Sequence, residues 1–259
     1  MERSFHWSWP SWPNGATMRT LPIALALLAV SGFLNSASAG PPFATDDPQP
    51  TDTGHWEIYA FASGVHTPGE TQGQTGIDLN YGGAKDLQLT LNLPLAFSGG
   101  TTGLGDIELA AKYRFLRQAP GTLRPDLAFF PRIYAATAPR RFGDGHSSLL
   151  LPIWAQKDFG PWSVFGGGGY QIHPGARGLN SWQSGAAVLY QATKPLAVGV
   201  ELFHQTRDAR DSQSLTQANL GVLYRLTEHW SLLGEAGPGL EHVRETGRYN
   251  VYVSLKADY

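Results

Sequence analysis

Two residues of this chain have the types and spacing of a nucleophile and its base. His146 and Ser148 would share one face of a β-strand, where an imidazole could take the proton of a hydroxyl attacking an acyl group. They follow Gly143-Asp144-Gly145, a turn sequence, and no carboxylate stands at a spacing that would orient the ring, so a polar loop is the better account. Asp46-Asp47 offers oxygen ligands to a cation, but two adjacent carboxylates lack the ligand number of a calcium loop. They are expected to hydrogen-bond turn amides or to meet arginines. Gly166-Gly167-Gly168-Gly169 is not a phosphate cradle, because no Lys-Ser/Thr follows it and it sits inside a strand pattern. Glycine there would let another backbone approach, and the segment from Gly40 to Pro50 is the candidate visitor. His173, His204, His229 and His242 lack metal-ligand spacing, and neither a metal nor a cofactor is expected.

The elements that must carry these residues are strands. From His55 the chain reads as runs of about ten residues with period-two alternation, separated by turn residues. Ile107, Leu109, Ala111, Tyr113 and Phe115 share one face of such a run, and Asp106, Glu108, Lys112 and Arg114 share the other. Leu87, Leu89, Leu91, Leu93 and Leu95 alternate with Gln88, Thr90 and Asn92. Together with 55–65, the hairpin strand around Ile77–Tyr81, 126–136, 148–158, 162–172, 181–191, 196–206, 215–226, 229–237 and 249–259, the runs number about twelve. Connections alternate between tight turns, such as Gly82 to Lys85, and longer polar loops, such as His66 to Gln74. Leu116 to Pro125 breaks the alternation by being long where a tight turn is expected.

Arg19 precedes an apolar run from Leu21 to Leu34, and Ser36-Ala37-Ser38-Ala39 supplies a small-x-small cleavage pattern. Residues 1–39 therefore read as a signal peptide, with 1–17 read as a mis-assigned start. The proline-rich stretch 40–54 follows as an ordered loop or tail, and 55–259 forms the body. The apolar run is shorter than the roughly 20 residues a membrane helix needs. A net charge of -2 and scattered Lys and Arg give no basic patch for nucleic acid. With no cysteine, a disulfide scaffold is excluded.

Alternation alone also fits a soluble barrel or sandwich. Four features decide for a membrane: the export signal, strand lengths suited to crossing hydrocarbon, aromatic residues near strand ends, and a last strand ending in Tyr259. The expectation is an all-β, antiparallel transmembrane β-barrel of about twelve strands in the outer membrane. A short N-terminal segment lies in its lumen, with Phe43, Asp46 and Asp47 as plug residues. Expected partners are outer-membrane lipid and lipopolysaccharide, the barrel-assembly machinery through the terminal strand ending at Tyr259, and a small-molecule solute; Arg140-Arg141 could touch lipopolysaccharide phosphates, but a solvated loop is the better account.

The stretch Gly40-Pro41-Pro42-Phe43 with Thr45-Asp46-Asp47-Pro48, then Gly54-His55-Trp56-Glu57, resembles the opening of a family of bacterial outer-membrane proteins grouped with transporters assigned to the phenol-degradation meta-pathway. Gly105-Asp106-Ile107-Glu108-Leu109, Gln156 to Trp162, and Glu201 with Phe203-His204-Gln205 are similar too. The resemblance implies a transporter-like barrel for small aromatic or hydrophobic solutes and carries no functional residues with it. Strand parity places Asp78, Asn80, Gln88, Thr90, Asn92, Asp106, Glu108, Lys112, Arg114, Glu201, Glu235 and Lys256 on the lumen wall. Both charge signs occur among them, so no strong ion selectivity is expected. The rivals are an acyl hydrolase using His146 and Ser148, and a structural barrel without transport.

The mature protein should begin at Gly40, as intact mass will show. Recovery of that protein as a clear aqueous monomer without detergent would overturn the membrane reading.

Overall fold

The computed structural model describes residues 42–143, 145–175 and 178–259; the expected signal segment and Gly40 lie outside them. Fourteen antiparallel strands form one sheet: β1 (Trp56–Thr67), β2 (Glu70–Ala84), β3 (Leu87–Ser98), β4 (Thr101–Leu104), β5 (Ile107–Leu116), β6 (Asp126–Phe129), β7 (Arg132–Ala135), β8 (Ser148–Phe159), β9 (Trp162–Ile172), β10 (Ser181–Gln191), β11 (Leu196–Gln205), β12 (Leu215–Arg225), β13 (Trp230–Pro238) and β14 (Tyr249–Asp258). β4 and β5 lie end to end along β3, and β6 and β7 lie end to end between β5 and β8. Twelve staves therefore surround the axis, and pairing of β1 with β14 over Glu57↔Asp258 to His66↔Tyr249 closes the barrel.

The two interruptions have local causes. Gly105-Asp106 parts β4 from β5, and Phe130-Pro131 parts β6 from β7, where proline has no N–H to give the ladder. The first hairpin departs from expectation. His66 to Gln74 is not a loop, because β1 runs to Thr67, β2 starts at Glu70, and the turn is Pro68-Gly69, with Gly69 at φ 96°. A stretch rich in Thr, Gln and Gly gives little apolar alternation, yet strand pairing continues past the end of the apolar band. Asp86, at φ 64°, makes the turn between β2 and β3.

The alternation resolves into an outer and an inner face. Leu89, Leu93, Leu109, Ile153, Val200, Leu220 and Val253 point outward and are each at least 40 % exposed, a band that water would not tolerate but hydrocarbon does. Aromatic pairs sit near both rims: Trp56 with Tyr81 and Trp162 with Tyr190 at the end carrying the termini, Tyr170 with Trp182 at the far end. The interior is not polar throughout. β8 to β13 turn Leu150, Trp154, Phe165, Leu189, Phe203 and Leu233 inward, whereas β1 to β7 carry most of the inner charge.

Val253, on the outer face of β14, pairs with Ala62 and Gly234 well away from both rims. Val253→Arg should lower the unfolding free energy in lipid by about 2–4 kcal/mol, read from a urea titration, while Ser254→Ala on the inner face should change it far less.

Candidate functional site: the lumen and its N-terminal segment

The stretch Pro42 to Thr53 runs inside the barrel and is fastened at several points. Its first anchor is apolar: Phe43 is buried among Phe165, Ala187, Leu189 and Ala197. A side chain at Gly221 would bring its Cβ to 2.4 Å from the Phe43 ring, and one at Gly185 would meet Thr45 at 1.9 Å. Inner-face glycines of β10 and β12 are thus the space the segment occupies. The expected seat, Gly166 to Gly169, has another role: a Cβ at any of the four would strike the backbone of β8 or β10.

The second anchor is ionic. Lys112 Nζ meets Asp46 Oδ1 at 2.9 Å and Asp47 Oδ1 at 3.9 Å, and Arg132 pairs with Asp46 and, at 3.6 Å, with Glu108. Both cations also lie over the Phe130 ring, at 4.8 and 4.2 Å. Further hydrogen bonds tie the rest: Thr51 N donates to Gln88 Oε1 at 2.9 Å, Gln49 Nε2 donates to Asp126 at 3.0 Å, and Thr45 N donates to Glu201, which also accepts from Asn219 Nδ2 at 2.7 Å. Gly54 N donates to Gly82 O at 2.7 Å, bringing the segment onto β2 as β1 begins.

Burial would raise both carboxyls, and the outcomes diverge. Lys112 and Arg132 outweigh burial at Asp46 and hold it below the usual carboxylate range. At Asp47 burial prevails over Lys112, aided by the negative charge of Asp46, and pushes the group up to about 7. In the β2–β3 turn, burial opposes ionisation of Asp86, but hydrogen bonds from Arg117 and Arg114 win and lower it.

Between this segment and the far rim lies a cavity of about 640 Å³. Of the twelve lumen residues expected from parity, Asp78, Asn80, Gln88, Thr90, Asn92, Glu108, Lys112 and Glu235 line it. The other four do not. Asp106 accepts from Ala138 N at 2.9 Å where the wall is interrupted, Arg114 binds Asp86 at 2.9 Å, Glu201 lies under Thr45, and Lys256 holds Glu57 at 3.3 Å and Asp258 at 2.9 Å. Residues the alternation did not single out are as prominent: Glu57, Tyr59, Phe61, Arg132, Tyr134 and Tyr252. Arg132 and Tyr134 alternate correctly in the sequence, but Phe130-Pro131 hides them.

The sequence matches no protein-family model and no curated protein. The outer membrane channel of Pseudomonas putida F1 superposes with a TM-score of 0.65 at 16% identity, covering 85% of this chain and 99% of that one. The chain has the fold of outer-membrane channels. The NanC porin and the KdgM porin, the latter solved in complex with disordered oligogalacturonate, each give 0.54, at 10% and 12% identity. They cover 77% and 78% of this chain and 98% of theirs.

The enzyme-like pair is not assembled. Ser148 opens β8 and its hydroxyl accepts from Gln171 Nε2 at 3.3 Å, while His146 lies in the preceding loop against Gly175. At the far end His204 Nδ1 meets Thr216 Oγ1 at 2.8 Å and Glu241 at 3.4 Å. His242 Nδ1 faces the Ser214 carbonyl at 3.1 Å, and no metal-ligating cluster occurs among the described residues.

The chain has no native cysteine, so Thr45→Cys, at a position 1 % exposed in the wild type, reports on seating of the segment. Adding Gly221→Leu should unseat Phe43. Overpacking costs about 1–3 kcal/mol, so maleimide labelling of the introduced thiol should accelerate by roughly tenfold or more.

Proposed function

We propose that this protein is an outer-membrane channel for small solutes, narrowed from within by its N-terminal segment. The observation that carries this reading is the lumen cavity floored by Phe43, Asp46 and Asp47, inside a closed barrel whose outer face is apolar. The channel folds of the structural neighbours support the same role. Resemblance of the opening segment to the meta-pathway transporters, and the rings of Tyr59, Phe61 and Tyr252 on the cavity wall, favour solutes with an aromatic or hydrophobic body. Neither the hydrolase nor the purely structural reading has a comparable observation behind it.

The fastening makes the segment a restriction that can yield. Its ionic half depends on two cations, and its apolar half on one ring. Deleting 42–52 should raise single-channel conductance in planar bilayers several-fold, and unchanged conductance would remove the segment from the permeation path. Should the deletion fail to fold, Phe43→Ala tests the same anchor.

Seating should also vary with pH. Withdrawn, Asp47 has a carboxyl that titrates near 3.8; seated, it keeps its proton up to about 7. The seated state therefore binds more protons between these values, and its contribution weakens as pH rises from about 4 to 7. Opening events should become more frequent from pH 5 to pH 7.5, and Asp47→Asn should flatten that dependence.

A further inference from the structure

Charge and aromatic surface in the cavity are distributed unevenly. Six acidic residues line it, Asp46, Asp47, Glu57, Asp78, Glu108 and Glu235, against two basic ones, Lys112 and Arg132. The cations are already committed: Lys112 to Asp46 and Asp47, Arg132 to Asp46 and Glu108, while Lys256 reaches Glu57 from outside the cavity. Among the described residues Asp78 and Glu235 have no cationic partner within 4 Å. Asp78 accepts a single hydrogen bond, from Asn80 Nδ2 at 3.2 Å, and the Glu235 Oε2 oxygen is buried with no hydrogen-bond partner. A buried acidic oxygen without a donor, such as Glu235 Oε2, is costly, and a ligand that supplied one would remove that cost.

Aromatic rings stand between these two acids. Tyr252 is the cross-strand neighbour of Glu235, and Tyr59 is that of Asp78. Phe61 stacks on Tyr252 with ring centroids 6.2 Å apart and an interplanar angle of 16°. All five side chains border the same space. Acidic side chains without a basic partner, set beside aromatic faces, suit an amine that carries apolar bulk, because a carboxyl proton passed to the amine leaves an ion pair in place while the body displaces water from the rings.

We infer that the cavity binds and passes organic monocations, that is, protonated amines bearing an aromatic or alkyl body, at a site formed by Asp78, Glu235 and the Tyr59–Phe61–Tyr252 wall. This rests on the channel reading and adds the charge class of the solute, which parity along the strands left neutral. The same lumen disfavours a polyanion such as the oligogalacturonate crystallised with KdgM, since that chain would meet more acidic side chains than basic ones.

Three solutes of one shape separate charge from bulk: phenethylammonium, 2-phenylethanol and phenylacetate. Binding to the detergent-solubilised full barrel, read by calorimetry, should follow the order cation, neutral, anion, with the cation at least tenfold tighter than the anion. Asp78→Asn with Glu235→Gln should cost the cation roughly tenfold or more and leave the neutral analogue within about twofold. Tyr252→Phe should keep cation binding and Tyr252→Ala should lose it, which separates loss of the ring from loss of the fold. In bilayers the reversal potential under a phenethylammonium chloride gradient should show cation preference, reduced in the double variant. Equal binding of all three solutes, or an anion preference, overturns the inference and leaves the channel standing. A barrel that binds phenethylammonium but passes none of the three overturns the channel reading and the passage of the cation with it, and leaves the binding site standing.

Discussion

Backbone N–H and C=O groups in hydrocarbon have no water to bond, and that constraint organises the whole molecule. An open sheet edge would leave a row of them unpaired at several kcal/mol each, so β14 must return to β1. Once the sheet is closed, period-two alternation has only one meaning: one set of side chains faces lipid and the other is enclosed. Even the interruptions respect the constraint. Where β6 gives way to β7 at Pro131, Phe130 N still reaches the Pro152 carbonyl at 3.1 Å and the Pro131 carbonyl accepts from Ala111 N at 3.2 Å.

Enclosing charge raises a second problem, which the lumen solves by pairing. Burial of an isolated carboxylate or ammonium group costs several kcal/mol, and mutual attraction offsets it only with good geometry and further hydrogen bonds. Lys112 and Arg132 satisfy this by holding the carboxylates of a segment far from them in sequence, with Phe130 beneath both. The opposite wall offers one acidic side chain, Glu201, which accepts from Thr45 N, and beside it Phe43 fills a space left by glycine. The segment is therefore amphipathic across the barrel, ionic toward β5–β7 and apolar toward β9–β12. That division fixes its orientation, and with it the floor of the cavity.

The long connection 117–125 falls into place on the same terms. Gln118 donates to Asp158 at 2.6 Å and through its backbone N–H to Asp126 at 3.0 Å, Lys157 donates to the Ala119 carbonyl at 3.0 Å, and Arg117 joins Asp86 at 2.8 Å. Its length serves to satisfy polar groups at the rim that carries the termini. A two-residue turn could not do so.

Alternation between Ile107 and Phe115, or between Leu87 and Leu95, is a local property, so the sequence alone determined the apolar-banded strands, their outward face and a count of about twelve staves, but not the polar extension of the first hairpin or β4. Local chemistry also marked 42–54 as unfit for an inner strand, since proline cannot join a ladder. Depth inside the lumen is another matter, because it depends on which strands stand opposite one another. Nothing in the neighbourhood of Gly221 or Gly185 indicates that Phe43 and Thr45 fill the space beside them, and the Gly166–Gly169 run drew attention only because it is contiguous. Strand parity put Asp106, Arg114, Glu201 and Lys256 on the inner face, but barrel closure and the path of the N-terminal segment decided which inner residues border open space. Tertiary structure alone paired Lys112 and Arg132 with Asp46 and left Asp78 and Glu235 without a cation, because electrostatic partnership depends on distance across the barrel rather than along the chain.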